Sequence, residues 1–326
     1  MAIIVQKFGG TSVADAGARE NVLRKIRQAI DEGNSPVVVV SAMGRRGAPY
    51  ATDTLLNMVP GASAELSALI ASCGETISAC VVADYLNKNG IPATALTAYT
   101  AGIKAGGPHD GAQPETISTA RLYELIKAGT TPVVTGFQGV LPDMSIATLG
   151  RGGSDTTAVA LGAWLNAEYV DIFTDVPGVA MTDPRIVPQA PYIPYLDYLS
   201  MFRLSLHGSK VLHDLSAKIA MEKKVRVRIR STFDDTPGTV IGPQDNNDAD
   251  TALVGITVKG KDDNTSLITI VYKAGAGTAG SEKAFAHLGV KALPSDDPDV
   301  ILFDSPKTRV KETLYVILDP YINKKG

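Results

Sequence analysis

Residues 148–155, Thr-Leu-Gly-Arg-Gly-Gly-Ser-Asp, gather three glycines, a guanidinium, two hydroxyls and a carboxylate into one short run. The apolar stretch 156–165 follows at once. Val159, Ala160, Ala163 and Trp164 stand there at three- and four-residue spacings, which predicts a helix. A glycine loop opening into a helix suits an anion, because free backbone N–H groups and the positive end of the helix dipole point the same way. Arg151 adds a planar fork matched to a carboxylate or phosphate. Ser154 and Asp155 are also favoured helix N-caps, and capping alone would account for them. It would not account for an arginine set between glycines.

A second cradle of the same kind lies at the start. Residues 2–6 read as a short buried strand, then come Lys7, Phe8, Gly9, Gly10, Thr11 and Ser12, then a helix to about Gly33 with Val22, Ile26 and Ile30 on one face. A lysine at a strand end, a glycine pair and a hydroxyl pair again have the make-up of an anion site, although the spacing is not that of a Walker A loop. The plainer alternative is a bare turn with a solvated lysine. Residues 37–40 form a valine-rich strand of the kind buried in parallel sheets. The loop after it carries Ser41 and Thr52 where ligands of open α/β sheets gather. Gly74-Glu75 is expected to begin a helix bearing Ile77, Val81 and Leu86 and closing at Gly90. A carboxylate in such a first turn is favoured by the dipole, with or without a ligand.

The remaining chemistry-bearing residues sit on strand and helix ends. The strand 169–174 ends in Thr174 and Asp175, and Asp183-Pro-Arg185 follows soon after. Leu206-His-Gly-Ser-Lys210 is expected to open another helix, and 225–231 alternates as a strand. Strands at 93–96 and 131–135 and a helix at 114–128 complete a pattern of strands alternating with helices, so a mostly parallel sheet sandwiched by helices is expected. His109, in a loop without His or Cys at ligand spacing, reads as an exposed histidine.

A turn-rich stretch after residue 234 marks a domain boundary. The expected layout is a catalytic domain over 1–240, a linker over 241–251 and a small α+β module over 252–326. In that tail, strands at 253–258, 267–272 and 300–303 accompany helices at 281–287 and 310–318. Gly275-Ala-Gly277-Thr-Ala-Gly280 there is formally a dinucleotide fingerprint, with Asp296, Asp297 and Asp299 nearby. Too little chain follows to complete a doubly wound domain, so a loop is the better reading.

Composition bounds the rest. The chain has 326 residues and a net charge of −3, which excludes a global basic field for nucleic acid. Its two cysteines, Cys73 and Cys80, suit neither a metal cage nor a disulfide framework. The start turns polar too soon for a signal peptide, and no apolar run is expected to approach the ~18 residues of a membrane span. A cytoplasmic protein without membrane partners is expected.

The segments 7–13 (Lys-Phe-Gly-Gly-Thr-Ser-Val), 38–44, 74–75, 136–139 (Gly-Phe-Gln-Gly), 150–155, 174–175 and 183–185 together resemble the aspartate kinases of the amino acid kinase superfamily. The likeness runs in order from residue 2 to about 240 and is similar above all to the short aspartate kinases of Gram-positive-type bacteria. It implies the amino acid kinase fold and ATP-dependent phosphorylation of the side-chain carboxylate of L-aspartate to 4-phospho-L-aspartate, the step that opens lysine, threonine and methionine biosynthesis. On the matching positions, Lys7, Asp155 and Lys210 would be catalytic. Ser41, Thr52, Glu75, Arg151 and Ser154 would bind aspartate. Gly9, Gly10, Thr11, Ser12, Thr174, Asp175, Asp183, Arg185 and Lys210 would hold the nucleotide, with Mg²⁺ carried by ATP and no metal site of the protein's own. Such enzymes are homodimers with two βαββαβ ACT modules for amino-acid effectors. The tail here has room for one, complete or degenerate.

The chemistry is self-consistent. Phosphoryl transfer is chiefly positioning and charge neutralisation. A carboxylate nucleophile with an ordinary pKa of about 4 needs no general base, which fits the lack of a His, Cys or Ser constellation. An amino-acid substrate needs an anion fork and an ammonium acceptor, for which Arg151 and Glu75 are the candidates. Two alternatives use the same residues: a kinase of this fold acting on another small carboxylate, and a non-catalytic amino-acid sensor.

Overall fold

A computed structural model describes residues 1–244, 252–277, 288, 290 and 292–323. The chain begins β1 (Ile3–Phe8), α1 (Ala16–Asp31), β2 (Ser35–Val40), α2 (Thr52–Leu56), α3 (Ala64–Lys88), β3 (Ala93–Leu96) and α4 (Ala98–Ala101). It continues β4 (Ile103–Gly106), β5 (Gln113–Ile117), α5 (Ala120–Lys127), β6 (Thr131–Thr135), β7 (Gln138–Val140), β8 (Ile146–Thr148), α6 (Gly153–Trp164) and β9 (Tyr169–Thr174). Then come β10 (Tyr195–Asp197), α7 (Tyr198–Leu206), α8 (Asp214–Lys223), β11 (Val227–Ser231) and β12 (Thr239–Gly242). The tail holds β13 (Leu253–Gly260), β14 (Thr265–Tyr272), β15 (Ala292–Leu293), β16 (Val300–Pro306) and α9 (Val310–Ile322). The helix expected at 281–287, Gly280 and most of the 241–251 linker lie outside the described residues.

By compactness the chain divides into a first unit, Met1–Pro177 with Lys218–Pro237, and a second, Gly178–Ala217 with Gly238–Gly326. This differs from a single boundary near residue 240. The reason is packing: Met181, Val187 and Ala190 share a core with Ile256, Ile268, Phe303 and Leu314 of the tail.

In the first unit, parallel strands run in the order β11-β9-β1-β2-β6-β3. β2 is a valine run buried almost throughout, as a strand covered on both faces must be. Phe8 is in register with Val40 on one side and Phe173 on the other, and the two phenylalanine rings stack at 4.8 Å. The carboxyl ends of β1, β2, β6 and β9 therefore lie along one edge of the sheet. α1 starts where the Asp15 side chain accepts the Ala18 N–H at 2.9 Å, and it buries Val22, Leu23 and Ile26 against the sheet. A smaller sheet, β5-β4-β7-β8, completes the unit.

α3 corrects two expectations. It is one helix of 25 residues capped by Ser63, so Gly74 and Glu75 lie at its middle and not in a first turn. Gly74 is there for closeness: a Cβ would stand 2.8 Å from both the Ala42 Cβ and the Tyr50 carbonyl oxygen. The helix is also long and apolar enough to cross a membrane, contrary to the expectation that no such run exists. Half of its apolar window is buried, and it packs on β3, α2 and β8, so it serves this fold as a core helix.

In the second unit β10 and β12 pair in parallel, and β13-β14-β16-β15 form an antiparallel sheet. Gly208, at φ +110°, interrupts the chain after α7, so Lys210 lies between helices and does not open one. The Gly275 and Gly277 N–H groups do grip an anion, but it is the chain's own. They donate to the Asp299 carboxylate at 2.9 and 2.8 Å, and Arg203 reaches the same group at 3.0 Å.

Candidate active site

Within the first unit a cleft of about 650 Å³ opens at the carboxyl edge of the sheet, lined by Lys7, Gly10, Ser41, Thr52, Glu75 and Arg151 among others. β1 delivers Lys7 with its side chain only 11% exposed, and Nζ meets Asp155 Oδ1 at 2.6 Å. Asp155 stands in the first turn of α6, whose N-cap, Gly152, is left-handed at φ +69°. The two glycine cradles read from the sequence thus face one another and are joined by an ion pair. Ser154, on the same turn, lines the cleft too.

The first cradle is locked to the turn after β2. Gly44 N–H donates to the Gly10 carbonyl at 2.9 Å, and Ser41 N–H to that of Phe8 at 3.1 Å. A Cβ on Gly10 would come 2.5 Å from the Gly44 oxygen and 2.6 Å from that of Ala42, so glycine is required there by sterics alone. Gly9 N–H donates to the Phe173 carbonyl, and Thr11 is half-buried in the single 3₁₀ turn Gly10–Ser12. Ser12 does not join the cleft lining. It is fully buried, its hydroxyl bonded to that of Thr232 at 2.7 Å.

Glu75 is 2% exposed. One carboxylate oxygen accepts the Ala42 N–H at 3.1 Å, and the other has no hydrogen-bond partner among the described residues. Burial pushes its carboxyl up to about 8 against the opposing pull of the Ala42 N–H. Arg151 is exposed on the cleft wall, and among the described residues no carboxylate pairs with it. An anchored lysine, a free guanidinium fork and a buried carboxyl can hold a small zwitterion beside a phosphate.

Thr174 ends β9 and Asp175 follows it, accepting from the Thr174 hydroxyl and pairing with Arg45. Asp183, Arg185 and Lys210 belong to the second unit. There the Asp183 carboxylate takes the Arg185 guanidinium at 2.6 and 3.0 Å. That bond first, with Lys210 adding to it, holds the acid below its ordinary range.

Arg45, Arg46 and Phe137 are among the cleft residues that the sequence reading left out of the site. Arg45 and Arg46 line it from the loop after β2. A paired Arg-Arg beside a strand end is the signal that could have found them. Phe137 lines it at φ +68°, a left-handed residue other than glycine, fixed by donating its N–H to the Thr157 hydroxyl at 3.0 Å. Nothing in its type announces that conformation.

A parallel sheet with helices on its faces carries paired glycine cradles at one edge, and the matching family model, "Amino acid kinase family", covers residues 2–231. The chain belongs to the amino acid kinase family. Within it, it is 46% identical over 245 residues to Aspartokinase 1 of Bacillus subtilis (strain 168), covering 74% of this chain and 61% of that protein. The aspartate kinase structure from Synechocystis is 30% identical, with a TM-score of 0.64 over 99% of this chain and 56% of that one. Aspartokinase III of E. coli, solved with aspartate and ADP, matches the fold with a TM-score of 0.82 at 18% identity, covering 97% of this chain and 99% of that one. The chain spans less than two thirds of the length of the first two curated relatives.

Proposed function

We propose that this chain transfers the γ-phosphoryl group of ATP to the side-chain carboxylate of L-aspartate, giving 4-phospho-L-aspartate. The observation that supports this most is the Lys7–Asp155 pair at 2.6 Å joining the two cradles, with Glu75 and Arg151 lining the same cleft. In this reading Arg151 forks the α-carboxylate, Glu75 accepts the ammonium group, and Ser41, Thr52 and Ser154 bond the remaining oxygens. Lys7 neutralises charge on the moving phosphoryl group while Asp155 fixes its ammonium. The acceptor arrives ionised, so no residue has to remove a proton.

Nucleotide-side roles for Gly9, Gly10, Thr11, Thr174 and Asp175, and for Asp183, Arg185 and Lys210, rest on the family resemblance. Ser12 is a weaker candidate, because its hydroxyl is spent on Thr232. Mg²⁺ would come with the phosphates. An ion of that kind keeps several waters and takes phosphate oxygens as its other ligands. The tail over 252–326 is read as one ACT-like module, supported by its four-stranded antiparallel sheet. An amino-acid effector there, a homodimer and a cytoplasmic location are parts of the same reading.

The test is a hydroxamate assay for acyl phosphate with ATP, Mg²⁺ and L-aspartate, repeated over a panel of small carboxylic acids and with lysine, threonine or diaminopimelate added. Aspartate-dependent product is expected. Lys7→Ala should cut turnover by orders of magnitude with little change in aspartate KM, and Arg151→Ala should chiefly raise that KM. Near-normal turnover in Lys7→Ala, or product from another acid and not from aspartate, would overturn the assignment.

A further inference from the structure

Glu75 carries a consequence beyond holding an ammonium group. It sits at the middle of α3 with one oxygen on the Ala42 N–H and the other buried and without a hydrogen-bond partner among the described residues. The cations that line the cleft do not pair with it: Lys7 is committed to Asp155, Arg45 to Asp175, and Arg46 and Arg151 are exposed. The other charges on the cleft are Asp53 on α2 and Asp110 before β5, both acidic. Of the elements packed on α3, the strands β2, β3, β6 and β8 carry no ionisable side chain. α1 directs its Glu20 to Tyr85, near the other end of the helix. A lone carboxylate with one N–H donor is costly in such a place.

We propose that Glu75 stands in the substrate-free cleft as the neutral acid and releases a proton when the ammonium group of an amino-acid substrate settles on its free oxygen. This rests on the reading that the cleft takes an amino acid. The O–H bond of Glu75 breaks, the electron pair stays on the carboxylate and the proton passes to solvent. The ammonium keeps its own protons and supplies the cation that the site lacks. Burial that lifts the carboxyl to about 8 has the matching direction, and at pH 7 such a group is roughly nine-tenths protonated. Only the ionised fraction would then be ready for an ammonium group, so apparent affinity should fall about tenfold per pH step on the acid side.

Isothermal titration of the full chain with L-aspartate at pH 7, in buffers of low and high ionisation enthalpy, reads the proton directly. Release close to one proton per aspartate is expected, shrinking towards zero above pH 9. The apparent dissociation constant should tighten more than tenfold between pH 6.5 and 8. Residual binding by Glu75→Gln should release none, and undiminished release in that variant would assign the proton elsewhere and overturn the proposal. Normal binding with buffer-independent heats would also overturn it while leaving the aspartate reading in place. Absence of aspartate binding in every buffer would remove both.

Discussion

The Lys7–Asp155 pair should behave as a buried ion pair whose halves cannot be removed singly. The side chains are 11% and 14% exposed and the atoms 2.6 Å apart. At an effective dielectric near 20 that separation gives an attraction of roughly 6 kcal/mol, offset by the several kcal/mol each charge loses on leaving water. Removing one partner forfeits the attraction and leaves the other's desolvation uncompensated. Lys7→Met or Asp155→Asn alone should therefore each cost about 3–5 kcal/mol, whereas the double variant should recover most of that loss. Urea unfolding followed by tryptophan fluorescence is the assay. The chain's single tryptophan, Trp164, lies on α6, the helix that bears Asp155, so the signal reports the first unit. If each single change costs less than about 1 kcal/mol and the double equals their sum, the pair is a screened surface contact. The cleft geometry argued from it would then be wrong.

Glu75 is an acid raised in the folded state from 4.5 to about 8, so its stabilising share is full below pH 4.5 and is lost as pH climbs through 8. That loss is about 5 kcal/mol. The stability gap between Glu75→Gln and wild type, read by thermal unfolding, should widen in the variant's favour over that window, and a flat gap would contradict the burial. Gly10→Ala should cost about 1–3 kcal/mol and impair turnover, because the new methyl meets two backbone oxygens; an unchanged melting temperature would rule out that close approach. Ser12→Ala strands the Thr232 hydroxyl and should cost about 1–3 kcal/mol with ATP KM unaltered. A raised ATP KM at unchanged stability would return Ser12 to the nucleotide site.

Much of the cleft was legible because its chemistry is local. Lys7 with Gly9 and Gly10, and Arg151 with its glycines, pair charge with backbone freedom within a few residues, a combination that packing alone does not call for. The valine run of β2 announced a strand buried on both faces. Glu75 was found as a residue and misplaced as geometry. Gly74 before it reads as a helix boundary by propensity, whereas the contact that needs a glycine is with Ala42 and Tyr50, far away in sequence. Ser12 was assigned by its neighbours, yet its hydroxyl answers to Thr232 across the fold. The Gly275–Gly277 run had the grammar of a ligand site, and only a distant acid, Asp299, reveals that the anion is internal.

The path of the chain has a consequence for how this protein is made. Residues 218–237 belong with the first unit, although the polypeptide leaves that unit after Pro177. They bring β11 alongside β9, Thr232 to Ser12, and Asp235 to Lys25 and Arg24. A ribosome that has released only the first 177 residues has therefore not yet supplied β11, the strand that flanks β9. Nascent chains paused there should be open to proteases until the later segment emerges, and a gene cut at that codon should not express a self-sufficient first unit.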